Sequence, residues 1–88
     1  MKNPLRELLN KIIWDPRVNP EIFEICFISR GFPGDVERVR CNNLVKVTRD
    51  YFYIEENNRV KKIPLHRVIY VKDLRKNVVV YSKSGRRG

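Results

Sequence analysis

The stretch IFEICFISRGFPGDVERVR, residues 22–40, changes the period of the chain and decides its fold class. Ile22 to Ser29 is dense in Phe and Ile, with Cys26 among them; the run is too short for a helix and suits a mostly buried strand. Arg30-Gly31-Phe32-Pro33-Gly34-Asp35 follows as a loop, marked by its two glycines and one proline. Val36 to Arg40 then alternates Val with charged side chains, as a half-buried strand does, and Asn42-Asn43 breaks the run.

Working outward toward the N-terminus, Asn3-Pro4 offers a helix cap with Pro in the first turn. Leu5, Leu8, Leu9, Ile12 and Ile13 then recur at helical spacing. This predicts one amphipathic helix that stops near Trp14, because Pro16 disfavours helical geometry at Asp15 and Pro20 adds a second break. Its Leu and Ile face reads as a lid on a sheet, and Trp14 as an anchor in the core. Toward the C-terminus, Leu44 to Val47 is short and ambiguous, whereas Tyr51-Phe52-Tyr53-Ile54 is a strand by its aromatic and branched content. Val60 to Ile63, Val68 to Val71 and Val78 to Ser82 supply three more runs, with turns at Glu55 to Arg59 and Leu74 to Asn77. Strand centres this closely spaced favour antiparallel neighbours, since parallel crossovers need a dozen or more connecting residues. The expected fold is α+β: one N-terminal helix packed on a curved, mostly antiparallel sheet of about five to six strands, closing in part toward a barrel. A single domain is expected over residues 1–82, with a flexible basic tail at 83–88.

Composition narrows the partners. The chain has 88 residues, 42% of them hydrophobic, with 19 Lys+Arg against 10 Asp+Glu and a net charge of +9. The sequence pI of about 10.0 lies in the range that marks nucleic-acid binders. Residues 1–44 carry a net +1 and residues 45–88 a net +8, so the second half supplies the field that would steer a polyanion. A core this small leaves little room for an enclosed cofactor pocket, and no cofactor is expected. No apolar run approaches the length of a bilayer span, and Met1 to Leu9 lacks the apolar core of a secretory signal. A cytoplasmic protein without membrane contact is expected. Cys26 and Cys41 stand in no paired motif and read as buried thiols. Together with His66 they lack the spacing of a zinc site, so no metal is expected.

Three groups of residues stand out as possible sites. In the Arg30 to Asp35 loop, Gly31 and Gly34 let backbone amides turn toward an anion beside Arg30; the plain alternative is a connection whose glycines satisfy turn geometry. In Ile63-Pro64-Leu65-His66-Arg67, Pro64 bends or ends a strand and presents His66 and Arg67 side by side. On the strand at 51–54, Tyr51 and Tyr53 share one face and Phe52 and Ile54 the other. If Phe52 and Ile54 point inward, the tyrosines face out near Arg49 and can stack unpaired bases. Lys61 and Lys62, with Lys72, Arg75 and Lys76, read as a surface that follows phosphates. An enzyme would need two acid–base groups, and His66 is the lone histidine, leaving only a carboxylate such as Asp35 as its partner.

Arg30-Gly31 followed by Pro33-Gly34-Asp35, then Ile63-Pro64, one residue and His66-Arg67, resembles the small archaeal family described as the RNA cyclic-group end recognition domain. The resemblance extends to the helix ending in Ile13-Trp14. It implies a stand-alone RNA-binding domain for RNA ends bearing a cyclic phosphate, occurring elsewhere fused to RNA-processing phosphoesterases. Carried onto this chain, it points to Arg30, Gly31, Gly34, Asp35, His66 and Arg67. Members often carry a His just before the Arg-Gly pair, where this chain has Ser29, a departure that weakens an enzymatic reading. The expectation is a non-enzymatic module, with RNA and an RNA-processing enzyme as partners, that receives a terminal or cyclic phosphate between the Arg30 to Asp35 loop and the His66-Arg67 bend. The alternatives are an RNA phosphodiesterase using His66 with Asp35, and a nonspecific RNA- or protein-binding adaptor.

Overall fold

In the computed structural model, residues 3–83 are described. The helix α1 (Pro4–Trp14) begins where Asn3 accepts the backbone N–H of Arg6 on its side chain, and Pro4 opens the first turn. Seven strands follow: β1 (Phe23–Ile28), β2 (Val36–Arg40), β3 (Leu44–Val47), β4 (Tyr51–Glu56), β5 (Arg59–Pro64), β6 (Val68–Asp73) and β7 (Val78–Ser82). The ambiguous run at 44–47 is therefore a strand.

The expected single sheet is in fact two, and no barrel closes. A four-stranded sheet runs β2-β1-β6-β7 and a three-stranded meander runs β3-β4-β5, antiparallel throughout. The cause lies in two corners of the same design. Cys41–Asn43 and Leu65–Arg67 are each a single turn of 3-10 helix that buries its first side chain and accepts a backbone N–H from the strand that follows. The first carries the chain out of the four-stranded sheet after β2. The second carries it back into β6, just after Pro64, which has no N–H to extend the ladder. Apolar alternation sets which side of a strand is buried, but it does not name the strand's neighbour.

Both inner faces and the helix meet in one core. Leu5, Leu9 and Ile12 of α1 pack with Ile25 and Phe27 of β1, Val39 of β2, Val68 and Val71 of β6, and Leu44, Phe52, Ile54 and Ile63 of the meander. Phe27 and Phe52 meet edge to face across the two sheets, with ring centroids 5.7 Å apart and planes at 81°, a favoured aromatic arrangement.

Trp14 does not anchor this core: it is 77% exposed. It lies about two and a half turns beyond Leu5, which puts it on the opposite side of the helix from the buried stripe. Cys26 and Cys41 are buried, free thiols. Tight turns use the residues that tolerate them, since Asn57 and Asn58 joining β4 to β5 both have positive φ, at 53° and 65°, as a two-residue hairpin turn requires. Of the tail expected at 83–88, residues 84–88 lie outside the described region. Lys83 continues the ladder, its N–H bonding the Ile69 carbonyl at 2.9 Å.

Phe52→Ala should lower unfolding free energy by about 3–5 kcal/mol, whereas Trp14→Ala should shift it by less than about 0.5 kcal/mol. Urea unfolding of the two variants checks both. Equal losses would place Trp14 in the core after all.

Candidate nucleic-acid interface

Register places two of the expected loops at one end of the molecule. β1 and β6 run antiparallel with Phe27 opposite Val68, so the chain leaving β1 and the chain entering β6 emerge from the same end of the four-stranded sheet. The loop after β1 is closed by backbone bonds: Ser29 N–H to Asp35 O at 2.9 Å and Asp35 N–H to Phe32 O at 2.8 Å. Gly31 and Gly34 take φ of 95° and 72°, and a Cβ on either would meet open space. Their glycines therefore answer to backbone conformation. Arg30 and Asp35 are exposed. Among the described residues, no ion pair joins Arg30 to Asp35, and no hydrogen bond joins Asp35 to His66.

His66 belongs to a different grouping. It lines a cleft of about 210 Å³ with Asn3, Leu5, Arg49, Asp50, Leu65 and Tyr81. One backbone bond explains the meeting: the N–H of Leu65 donates to the carbonyl of Asp50 at 2.9 Å, docking the turn between β3 and β4 onto the corner before β6. That turn is itself fixed by Thr48, whose N–H donates to the Tyr51 carbonyl at 2.8 Å and whose Oγ1 accepts the Tyr51 N–H at 3.3 Å. The ammonium of Lys83 reaches the carbonyl oxygen of His66. Arg67 is exposed on the same corner but does not line the cleft. From sequence, Arg49 stands only beside the outward tyrosines, Asn3 is only a helix cap, and nothing marks Tyr81; none of the three is tied to His66. Once Leu44–Val47 is a strand, Arg49-Asp50 becomes a hairpin tip, and that was the missing signal.

The cleft lies just before the start of β4, beside the outer face of the meander. Phe52 and Ile54 are fully buried, while Tyr51 and Tyr53 are half-buried on the other face. Lys62 Nζ sits 4.2 Å from the Tyr51 ring centroid, and Lys46 Nζ 5.5 Å from that of Tyr53. Tyr53 pairs with Lys62 on one side and with Lys46 on the other, so basic and aromatic side chains alternate across the face. An exposed cation over a ring is worth about 0.5–1 kcal/mol, and a stacked base about 1–3 kcal/mol.

Lys61 is placed otherwise. It pairs with Ile54 and so shares the inner side of the meander, at its margin. Its ammonium lies 3.2 Å from Glu37 Oε2 of β2 and 3.4 Å from Glu56 Oε1, and 5.6 Å from the Phe32 ring centroid. Glu37 is only 7% exposed. Desolvation works against the charge on Lys61, but the hydrogen bonds and charges of Glu37 and Glu56 outweigh it and raise its pKa above the usual lysine value. Lys61 is thus a clip between the two sheets.

On the outer face of the four-stranded sheet, Arg38 Nε donates to the Tyr70 hydroxyl at 3.1 Å, which donates in turn toward Glu24 at 3.5 Å. Burial pushes the Cys41 thiol up to about 12, which removes it as a nucleophile near neutrality. Among the described residues, no three His, Cys, Asp or Glu side chains gather as a metal site would need, and no helix is long and apolar enough to cross a membrane.

The fold and this site define a small basic α+β module, with a cleft holding Arg and His beside an aromatic and basic sheet face. The chain belongs to the family described as the MJ1316 RNA cyclic group end recognition domain, which matches residues 1–83. This is the family that the Arg30 to Asp35 and Ile63 to Arg67 motifs resemble. Its relatives are archaeal. The UPF0248 protein of Pyrococcus furiosus is 34% identical over 99% of this chain and 95% of its own length. That of Methanococcus maripaludis strain C7 is 33% identical over 90% and 97%, and that of Methanococcus vannielii 28% identical over 90% of both. No solved structure matches the chain.

Two outcomes test this geometry. Lys61→Met should cost under about 1 kcal/mol at neutral pH, because the pair is partly exposed, with part of that loss recovered in the double variant carrying Glu37→Gln. A raised lysine pKa stabilises fully below the ordinary value of 10.5 and fades as pH rises through the folded-state value, so the gap between wild type and Lys61→Met should close in that range. Denaturant titrations at pH 7 and above pH 10.5 measure it, and a gap independent of pH would deny the pairing. Separately, both thiols should resist an aromatic disulfide reagent at pH 8 until the protein is unfolded. Rapid reaction of either one in the native protein would contradict its burial.

Proposed function

We propose that this chain is a non-catalytic RNA-binding module that recognises RNA ends carrying a terminal or cyclic phosphate, in the service of RNA processing. The observation that carries the reading is the cleft in which His66 and Arg49 converge at the start of the Tyr51–Tyr53 face. The terminal phosphate sits in the cleft, and the preceding bases lie along Tyr51 and Tyr53 with Lys62 and Lys46 beside their phosphates. A 2′,3′-cyclic phosphate carries one negative charge. Arg49 meets it with a charge-assisted bond and His66 with an N–H donor. Arg30, Arg67 and the amides of Gly31 and Gly34, at the same end of the four-stranded sheet, hold backbone farther along the strand. Lys61 secures the sheet below.

Binding is favoured over ring opening because ring opening needs one group to take a proton and another to give one. Among the described residues, no side chain is hydrogen-bonded to that of His66; Asp50 shares its cleft but does not bond it.

A titration at two salt concentrations compares a short RNA ending in a 2′,3′-cyclic phosphate with its 3′-hydroxyl twin. The cyclic end should bind more tightly, and the preference should survive high salt. Arg49→Ala should weaken the cyclic-ended RNA about tenfold and the twin far less, with His66→Ala acting in the same direction. Equal affinities that vanish together with salt would leave only a polyanion surface. A time course in which the ring opens, and opens no longer in His66→Ala, would make the protein an enzyme.

A further inference from the structure

A second cleft lies at the far end of the four-stranded sheet. Its volume is about 280 Å³, and Arg17, Phe23, Asp73, Arg75 and Lys76 are among the residues that line it. Phe23 and Asp73 pair across β1 and β6, so this cleft and the one at His66 stand at opposite ends of β6, about 17–20 Å apart for a strand of that length.

Its one carboxylate, Asp73, is already engaged, and its Arg17 is held by Asp15 outside the lining. Asp73 Oδ1 accepts the backbone N–H groups of Arg75 and Lys76 at 3.0 and 2.9 Å. Asp15 accepts Nε and Nη2 of Arg17 at 3.1 and 3.2 Å, which fixes the guanidinium and leaves Nη1 open. Arg75 and Lys76 are exposed and enter no ion pair among the described residues. Trp14, three residues before Arg17, is 77% exposed. The intervening chain spans at most about 11 Å and is folded back by the Val18 N–H to Asp15 O bond. An exposed indole three residues from a cleft that carries Arg17, Arg75 and Lys76 supplies the two elements of single-strand binding: a face for a base and charges for its phosphates.

We propose that Trp14 with the Arg17, Arg75 and Lys76 cleft is a second RNA subsite, which stacks one unpaired base of a single strand on the indole and holds the adjoining phosphate on Arg75 and Lys76. The proposal rests on the RNA-binding reading above but not on end recognition. It assigns part of the affinity to nucleotides remote from the end.

Trp14 is the sole tryptophan of the chain, so its emission reports this site directly. A uridine hexamer with a 3′-hydroxyl end is titrated while the emission of Trp14 and the anisotropy of a labelled copy of the hexamer are recorded. The emission should fall saturably, with the same midpoint as the anisotropy. The double variant Arg75→Ala/Lys76→Ala should raise that midpoint about tenfold. Trp14→Ala should raise the anisotropy midpoint about fivefold without changing the unfolding curve. The Arg75→Ala/Lys76→Ala losses should be equal for cyclic-ended and hydroxyl-ended hexamers. Anisotropy that rises with no change in emission, or a midpoint indifferent to the double variant, overturns the subsite and leaves the end cleft standing. If neither signal moves for either hexamer, the RNA reading falls and the subsite falls with it.

Discussion

The edge-to-face contact of Phe27 with Phe52 joins two sheets that share no ladder. Backbone hydrogen bonds hold β2-β1-β6-β7 together and, separately, β3-β4-β5; between them there are side chains alone. Burial of apolar surface is nondirectional and scales with area, so the relative placing of the sheets depends on how these rings and the aliphatic side chains around them interlock. Helix α1 completes that interface with Leu5, Leu9 and Ile12. Every group in the His66 cleft hangs from an element whose position this core sets: Asn3 and Leu5 from the helix, Arg49 and Asp50 from the meander, Tyr81 from the four-stranded sheet, and His66 from the corner between the sheets.

Where the core ends, polar contacts take over the same task. The Glu37 and Lys61 pair spans β2 and β5, and the Leu65 to Asp50 backbone bond spans a corner and a hairpin tip. Each lies at the rim, where water weakens a charge pair but geometry still selects a single arrangement. The division of labour among the lysines follows from position. Lys62, on the outer side of β5, rests on a tyrosine ring that a base can claim, while its neighbour Lys61 points to the inner margin and is held by two carboxylates.

Much of this was legible in the sequence, for identifiable reasons. Asn3-Pro4 and the Leu/Ile spacing specify a helix by local chemistry, and α1 begins and ends as they predict. Alternation at Tyr51 to Ile54 sorts tyrosines outward and Phe52 and Ile54 inward, because a strand's period is fixed. Partnership was not legible, since it depends on which of several similar apolar runs meet. The apolar runs are the same whether they form one sheet or two, Asn42-Asn43 marks a break without showing that the chain changes sheet there, and no local pattern brings Arg49 to His66. Trp14 lies outside the core because helical phase, and not residue type, decides which side of α1 is buried. Lys61 looked like its neighbours because a two-residue period is needed to separate it from Lys62, and its partner Glu37 lies in another sheet.

The corners also bear on how the chain assembles. Pairing β1 with β6 joins residues about forty to fifty apart in sequence, a closure whose entropy cost rises with the length of free chain between them. About half of that interval is β3-β4-β5, whose strands pair only with their sequence neighbours and thus need only short closures. Once the meander is formed, the interval between β1 and β6 behaves as a short loop carrying a compact insert. The same two 3-10 turns that divide the sheet therefore divide one long-range closure into several local ones, which lowers the entropic barrier to the most distant pairing in the fold.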